Sequence, residues 1–418
     1  MENKTQPDNR EVTLETSETP EVAETPETTE TPEVTQTPET TETPEVTQTP
    51  ETTEESKEPK RENAFVAGAK KLFQKGIPRS ELTNYEKREP TEEELKDNIL
   101  IVEHLKKYFP VETNLIGQPI RYLKAVDDVS LKIPYGKTLG IVGESGCGKT
   151  TLGRTLLGLY GKSAGEVWFN GQNITNYRDR QMNTIRKDMQ VIFQDPYSSL
   201  SPRFTVGGII SEGVAVHKIV PKAQIKEYVI SIMERCGLQP QYYERYPYEF
   251  SGGQRQRICI ARALAVKPKF VVCDEPVSAL DVSIQAQILN LLKELQREMQ
   301  LAYMFISHDL SVVQHVSDSV GVMYLGSMVE CGPTDRIFEN PMHPYTKSLL
   351  SAVPIPDPRR KQDRVILQGS IPSPANPPSG CRFHTRCPNA MEICSKQAPV
   401  YKAYESDHYC ACHLYSQE

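Results

Sequence analysis

One run, Gly143-Glu144-Ser145-Gly146-Cys147-Gly148-Lys149-Thr150, constrains this chain more than any other. It follows an apolar segment, Leu139 to Val142, and precedes a helix-like one, Thr151 to Leu159. Strand, glycine-rich turn and helix, in that order, make a phosphate-binding loop. Glycines let the backbone turn sharply, so successive N–H groups converge on one concavity that holds phosphate oxygens. The N-terminus of the new helix adds partial positive charge. The nucleotide-binding positions expected here are Gly143, Glu144, Ser145, Gly146, Cys147, Gly148, Lys149, Thr150 and Thr151. Lys149 would reach the β- and γ-phosphates, and the Thr150 hydroxyl would ligate Mg²⁺.

Phe270-Val271-Val272-Cys273 is a short apolar strand that delivers two carboxylates, Asp274 and Glu275, at its tip. Behind a phosphate loop, Asp274 is expected beside Mg²⁺ and Glu275 is expected to orient and deprotonate the attacking water. Ser251-Gly252-Gly253-Gln254 heads a second helix and forms another anion-binding helix start. Two such starts, about a hundred residues apart, exceed what one nucleotide in one chain needs. A head-to-tail dimer solves this: each ATP lies between one chain's phosphate loop and the other's Ser-Gly-Gly. Apolar strands alternate with helical segments along residues 98–345, which predicts a parallel α/β sheet with its site at the carboxyl edge.

The remainder bounds the architecture. Hydrophobic residues make up 38% of the 418, too few for a chain folded throughout. Thr-Pro recurs every sixth residue from Thr19 to Thr49, which forbids a continuous helix or central strand. Residues 1–60 hold 17 acidic and 4 basic side chains, a net of −13; the whole chain carries −7, so the rest is +6. Residues 1–63 are therefore expected to be a disordered acidic tail. Residues 64–97 read as a linker, with an amphipathic helix from Ala64 to Lys75. No apolar run approaches the length of a membrane span, and Met1-Glu2-Asn3-Lys4 lacks a signal-peptide core. A cytosolic chain is expected, with its ten cysteines outside any disulfide framework.

These motifs resemble those of ATP-binding cassette (ABC) ATPases, in that family's order. Phe250-Ser251-Gly252-Gly253-Gln254 resembles its signature. The resemblance makes Gln194 the glutamine that senses Mg²⁺ and the attacking water. It makes Asp281, in Ser278-Ala279-Leu280-Asp281, part of the dimer seam, and His308 the switch histidine at the γ-phosphate. Tyr108 takes the position that stacks on adenine, with Phe109 adjacent. The implied fold has a RecA-like parallel-sheet core, an antiparallel β subdomain and a helical subdomain.

Phe193-Gln194-Asp195-Pro196-Tyr197-Ser198-Ser199-Leu200, Tyr246-Pro247-Tyr248-Glu249-Phe250, Met323-Tyr324-Leu325-Gly326 and His343-Pro344-Tyr345-Thr346 look like the oligopeptide/dipeptide importer ATPases, F-type subunit. The resemblance covers residues 98 to 415. It implies ATP and Mg²⁺ as cofactors and a second, different ABC ATPase as partner. It further implies two membrane permeases that dock near Phe204 to Val214, an extracytoplasmic peptide-binding protein, and peripheral attachment at the cytoplasmic membrane face. Nucleic acid is not an expected partner, because ABC ATPases that act on ribosomes or DNA usually carry two cassettes per chain. The phosphonate-cleaving lyase cassette and importers of nickel, glutathione or glycosides share the motifs and stay open.

Residues 346–418 form a cysteine-rich extension. In some relatives four cysteines of such a tail hold a [4Fe–4S] cluster; carried over, the ligands would be Cys381, Cys387, Cys394 and Cys412, with Cys410 left out. Zinc and unliganded thiols are the alternatives.

Overall fold

A computed structural model describes residues 82–83, 85–115, 119–353, 367–405 and 407–415. The expected acidic tail and the Ala64–Lys75 helix lie outside the described residues. The strands are β1 (Asn98–Thr113), β2 (Pro119–Pro134), β3 (Thr138–Val142), β4 (Ala164–Phe169), β5 (Gln172–Asn173), β6 (Met189–Ile192), β7 (Phe270–Asp274), β8 (Ala302–Ile306), β9 (Ser319–Tyr324), β10 (Ser327–Pro333), β11 (Lys402–Glu405) and β12 (His408–Cys410).

They form two sheets. The larger has the order β11-β12-β10-β9-β3-β8-β7-β6. Strands β6, β7, β8, β3 and β9 run parallel. All five residues of β3, of β7 and of β8 are buried, as central parallel strands covered on both faces require. Helices Lys149–Leu156, Val282–Met299 and Leu310–Val316 pack on this sheet or return the chain to it. The smaller sheet, β2-β1-β4-β5, is antiparallel. Its long β1–β2 pair has repeated register shifts, which twist and curl the hairpin toward the loop after β3. Residues 206–264 are mainly helical and share one core with the large sheet. The two-sheet, helical-subdomain arrangement is the architecture expected of an ABC ATPase.

The C-terminal extension is built into the cassette. β12 pairs with β10 through Glu330↔Cys410 and Cys331↔Tyr409, and β11 adds beyond it. The boundary expected between residues 345 and 346 falls inside the Pro344–Ser351 helix. A buried carboxylate fastens these parts. Glu330 is fully buried and accepts from the Met342 and His343 N–H groups at 2.7 and 2.9 Å, with His408 Nε2 at 2.8 Å. Burial opposes its charge, yet His408 and the two backbone donors hold its carboxyl below the usual range. No helix among the described residues is long and apolar enough to cross a membrane.

Candidate functional site

The four segments singled out in the sequence leave the carboxyl ends of four parallel strands, so the fold brings them to one edge. The loop Gly143–Gly148 follows β3, Gln194 follows β6, Asp274 ends β7, and His308 lies just beyond β8. The glycines are required by space as well as by backbone angle. Gly148 has φ +108°, and a Cβ there would lie 2.1 Å from the Ala125 carbonyl oxygen. Gly143 has φ +148°, and its Cβ would meet the Met323 carbonyl oxygen at 2.2 Å. Any side chain at either position would push the loop off the strands that shape it.

Lys149 opens its helix and is nearly fully buried. Its ammonium donates to the carbonyls of Gly143 at 2.8 Å and Glu144 at 3.1 Å, so it folds back across the loop. The Thr150 hydroxyl donates to Asp274 Oδ1 at 2.8 Å. Asp274 is 2% exposed, and its Oδ2 is buried without a hydrogen-bond partner; the nearest cation recorded for it is Arg154, at 3.7 Å. Burial raises the Asp274 carboxyl above its ordinary range, against the Thr150 bond and the Arg154 and Lys149 charges. An orphaned carboxylate oxygen beside a threonine hydroxyl suits a hard divalent cation with oxygen ligands.

Glu275 sits one residue beyond the strand with φ +48°, a left-handed conformation that costs a non-glycine residue about 1 kcal/mol or more. Its N–H is held by the Ile306 carbonyl at 3.0 Å. Gln194 Nε2 donates to Glu275 Oε2 at 2.9 Å, and His308 Nδ1 lies 3.2 Å from the same oxygen. Three segments far apart in sequence thus meet at one carboxylate.

A cavity of about 260 Å³ joins these parts. It is lined by Ser145, Gly146, Gly148, Lys149, Thr150, Thr151, Gln194 and Glu275 on one side, and by Phe109, Leu123, Lys124, Ala125, Gly326 and Pro374 on the other. Tyr108 is not among the lining residues. It is 5% exposed, and its hydroxyl donates to Asp127. Adjacent strand residues point to opposite faces, so Phe109 takes the cavity side and Tyr108 the interior. Tyr108, expected to stack on adenine, is thus turned from the cavity, and its neighbour Phe109 lines it. Lys124 and Pro374 were not anticipated either; no sequence pattern marks a residue of the extension as part of this wall.

The second anion-binding start lies apart. Ser251 accepts from its own Gln254 N–H and completes a capping box at the head of the Gly252–Leu264 helix. Ser251, Gly252, Gly253 and Gln254 do not line the cavity, and neither does exposed Asp281, the N-cap of Val282–Met299.

The cysteines of the extension belong to segments joined by a backbone contact. Cys381 is pushed up to about 11 by burial, with Cys394, Cys412 and Cys387 adding to the rise. The Cys381 N–H donates to the Cys394 carbonyl at 2.7 Å. Cys410 belongs to β12 and pairs with β10. Among the described residues no three His, Cys, Asp or Glu side chains are grouped to hold one metal ion. A single zinc ion, which needs four ligands converging on one point, does not fit them as placed.

Comparison with known proteins agrees with the fold and the motifs. The "ABC transporter" family matches residues 126–278, and "Oligopeptide/dipeptide transporter, C-terminal region" matches 329–394. The oligopeptide transport ATP-binding protein AppF of Bacillus subtilis is 52% identical over 324 residues, 77% of this chain and 98% of that protein. The oligopeptide transport ATP-binding protein OppF of Escherichia coli is 51% identical over 307 residues, covering 72% and 92%. The dipeptide transport ATP-binding protein DppF of the same bacterium is 48% identical over 310 residues, covering 74% and 92%. Among solved structures, cbiO1 from Clostridium perfringens, part of the ABC transporter complex cbiONQ, matches with a TM-score of 0.50 and 28% identity, covering 58% of this chain and 92% of that one. With half its aligned residues shared with these ATP-binding proteins, and with both the cassette and the C-terminal region matched, this chain belongs to the ABC transporter ATP-binding proteins of the oligopeptide/dipeptide family.

Proposed function

We propose that this chain hydrolyses ATP to power import of oligopeptides or dipeptides, as one half of an ATP-sandwich dimer. Its partners in this reading are a second related ATPase, two membrane permeases and an extracytoplasmic peptide-binding protein. The chain then works at the cytoplasmic face without entering the bilayer. The observation that carries this is the 48–52% identity to oligopeptide and dipeptide transport ATP-binding proteins, sustained over nearly their whole lengths. The lyase cassette and the nickel, glutathione and glycoside importers are disfavoured by the same match.

As an ABC ATPase the chain takes ATP with Mg²⁺. In the proposed site the backbone N–H groups of Ser145 to Thr150 cradle the phosphates, and Lys149 leaves the loop carbonyls to meet them. Thr150, Gln194 and Asp274 would hold the metal, which would neutralise phosphate charge when bound. Glu275 accepts the proton of the attacking water, positioned by Gln194 and His308. Ser251, Gly252, Gly253, Gln254 and Asp281 act on the nucleotide of the facing subunit. Their separation from the chain's own cavity supports that reading. For the extension, Cys381, Cys387, Cys394 and Cys412 are the proposed holders of a [4Fe–4S] cluster. The resemblance of the tail to relatives in which four cysteines hold such a cluster supports it, and an anaerobic preparation that is colourless and free of stoichiometric iron would end the idea.

Two experiments follow. Tagging the chain at native expression and solubilising membranes gently should recover two permeases and a second ABC ATPase; a soluble assembly without permeases would defeat the transport reading. Phe109→Ala should weaken ATP binding about tenfold, since base–aromatic stacking contributes about 1–3 kcal/mol. Tyr108→Phe should instead lower thermal stability through the lost Asp127 bond and leave affinity within about twofold. The reverse pattern in an ATP titration would return the adenine to Tyr108.

A further inference from the structure

The extension does more than lengthen the sheet. Its loop between Cys381 and Cys387 carries two arginines, and both reach carboxylates beside the nucleotide cavity. Arg386 forms a two-pronged pair with Glu144, Nη1 to Oε2 at 2.7 Å and Nη2 to Oε1 at 3.0 Å. Arg382 pairs with Asp127 and donates to the Leu325 carbonyl. The next residue, Gly326, lines the cavity and donates its N–H to the Cys147 carbonyl at 2.8 Å.

Glu144 is the second residue of the phosphate loop, a place where a bare carboxylate would repel triphosphate. Its surroundings hold it in check. The Arg386 side chain is 8% exposed and Glu144 24%, so solvent screens the pair little. The Glu144 N–H donates to the hydroxyl of buried Tyr345 at 2.9 Å. The Arg386 guanidinium lies 5.9 Å from the ring centre of Tyr324. The arginine loop is itself packed in place: Phe383 is buried against the rings of both Tyr324 and Tyr345, and the Arg386 N–H donates to the Phe383 carbonyl. A guanidinium set in place beforehand pairs at low entropic cost.

We propose that Arg386 is a positioning residue for nucleotide binding: it neutralises Glu144 within the phosphate loop, so that the C-terminal extension completes the ATP site. The inference rests on the ATP reading of the cavity. It assigns the extension a part in ATP affinity whatever its cysteines hold.

The test is titration of the purified full chain with a fluorescent ATP analogue, mant-ATP, and Mg²⁺. Arg386→Met keeps the bulk over Tyr324 and removes the charge; the dissociation constant should rise about tenfold. Glu144→Gln leaves Arg386 facing the phosphates and should tighten binding about twofold. The double variant should return to within about twofold of the parent, a suppression that loss of packing cannot produce. Should Arg386→Met fail to fold by thermal melting, Arg386→Lys serves in its place, with a rise of about threefold and the same suppression by Glu144→Gln. A double variant as weak as the single would overturn the inference, and so would unaltered affinity in a folded Arg386→Met. Failure of the parent chain to bind the analogue would instead count against the ATP reading itself.

Discussion

Lys149→Ala is expected to reduce ATP turnover, measured in the proposed transporter assembly, by at least about 10²-fold, the scale for removing one fixed donor from a developing negative charge. The lysine is the first residue of a helix whose N-cap, Gly148, carries no side chain, and it lines the cavity that the loop borders. In the unliganded chain that charge rests on the Gly143 and Glu144 carbonyls. Gly143 is buried and Glu144 half-buried, so the lysine gives up two sheltered bonds, which its attraction to the phosphates must offset. Alanine removes the attraction to phosphate and leaves the two carbonyls without this donor. Stability should change much less than activity, because the β3 strand and the glycine contacts that shape the loop remain. Steady-state phosphate release and a melting curve on the same preparation check both halves. Turnover near the parent rate would refute the phosphate-loop assignment; a large fall in melting temperature would make the loss one of folding.

The parts of this site that were legible in the sequence are those tied to local geometry. A glycine-rich turn between an apolar strand and a helix, two carboxylates after four apolar residues, and a Ser-Gly-Gly helix start each declare themselves within ten residues. The strands carrying them were legible for the same reason: β3, β7 and β8 are mostly apolar and buried at every position. Pairings between distant segments were not legible. Nothing near Glu144 announces Arg386, which is 242 residues away, and nothing near Lys124 announces the Pro374 carbonyl that its N–H reaches at 3.3 Å. β11 and β12 were missed because short strands with mixed polarity gain their register from β10, not from their own sequence. Tyr108 and Phe109 show the finest limit. Both are aromatic and adjacent, and the irregular register of β1 against β2 decides which ring meets the cavity.

Glu275→Gln should bind ATP with near-parent affinity, hydrolyse it about 10²–10⁴-fold more slowly, and accumulate the closed dimer. The substitution is almost isosteric, so the left-handed backbone at this position and the N–H bond to Ile306 carry over. An amide oxygen still accepts from Gln194 and His308, which both converge on Oε2 in the parent. What the amide cannot do is take a proton. Binding and chemistry therefore separate: the phosphate cradle and Asp274 are untouched, while the step that would reopen the dimer is stalled. The strained backbone of Glu275 has a place in this argument. It turns the side chain back from the end of β7 toward segments arriving from β6 and β8, so the carboxylate is held at the meeting point before any nucleotide arrives. Size-exclusion chromatography of Glu275→Gln with ATP and Mg²⁺, together with the second ATPase of the proposed pair, should show a nucleotide-dependent dimer that the parent forms only transiently. A variant that turns over at the parent rate would mean that another group receives the water's proton, and the meeting of Gln194 and His308 on Glu275 would then serve only to hold the site's shape.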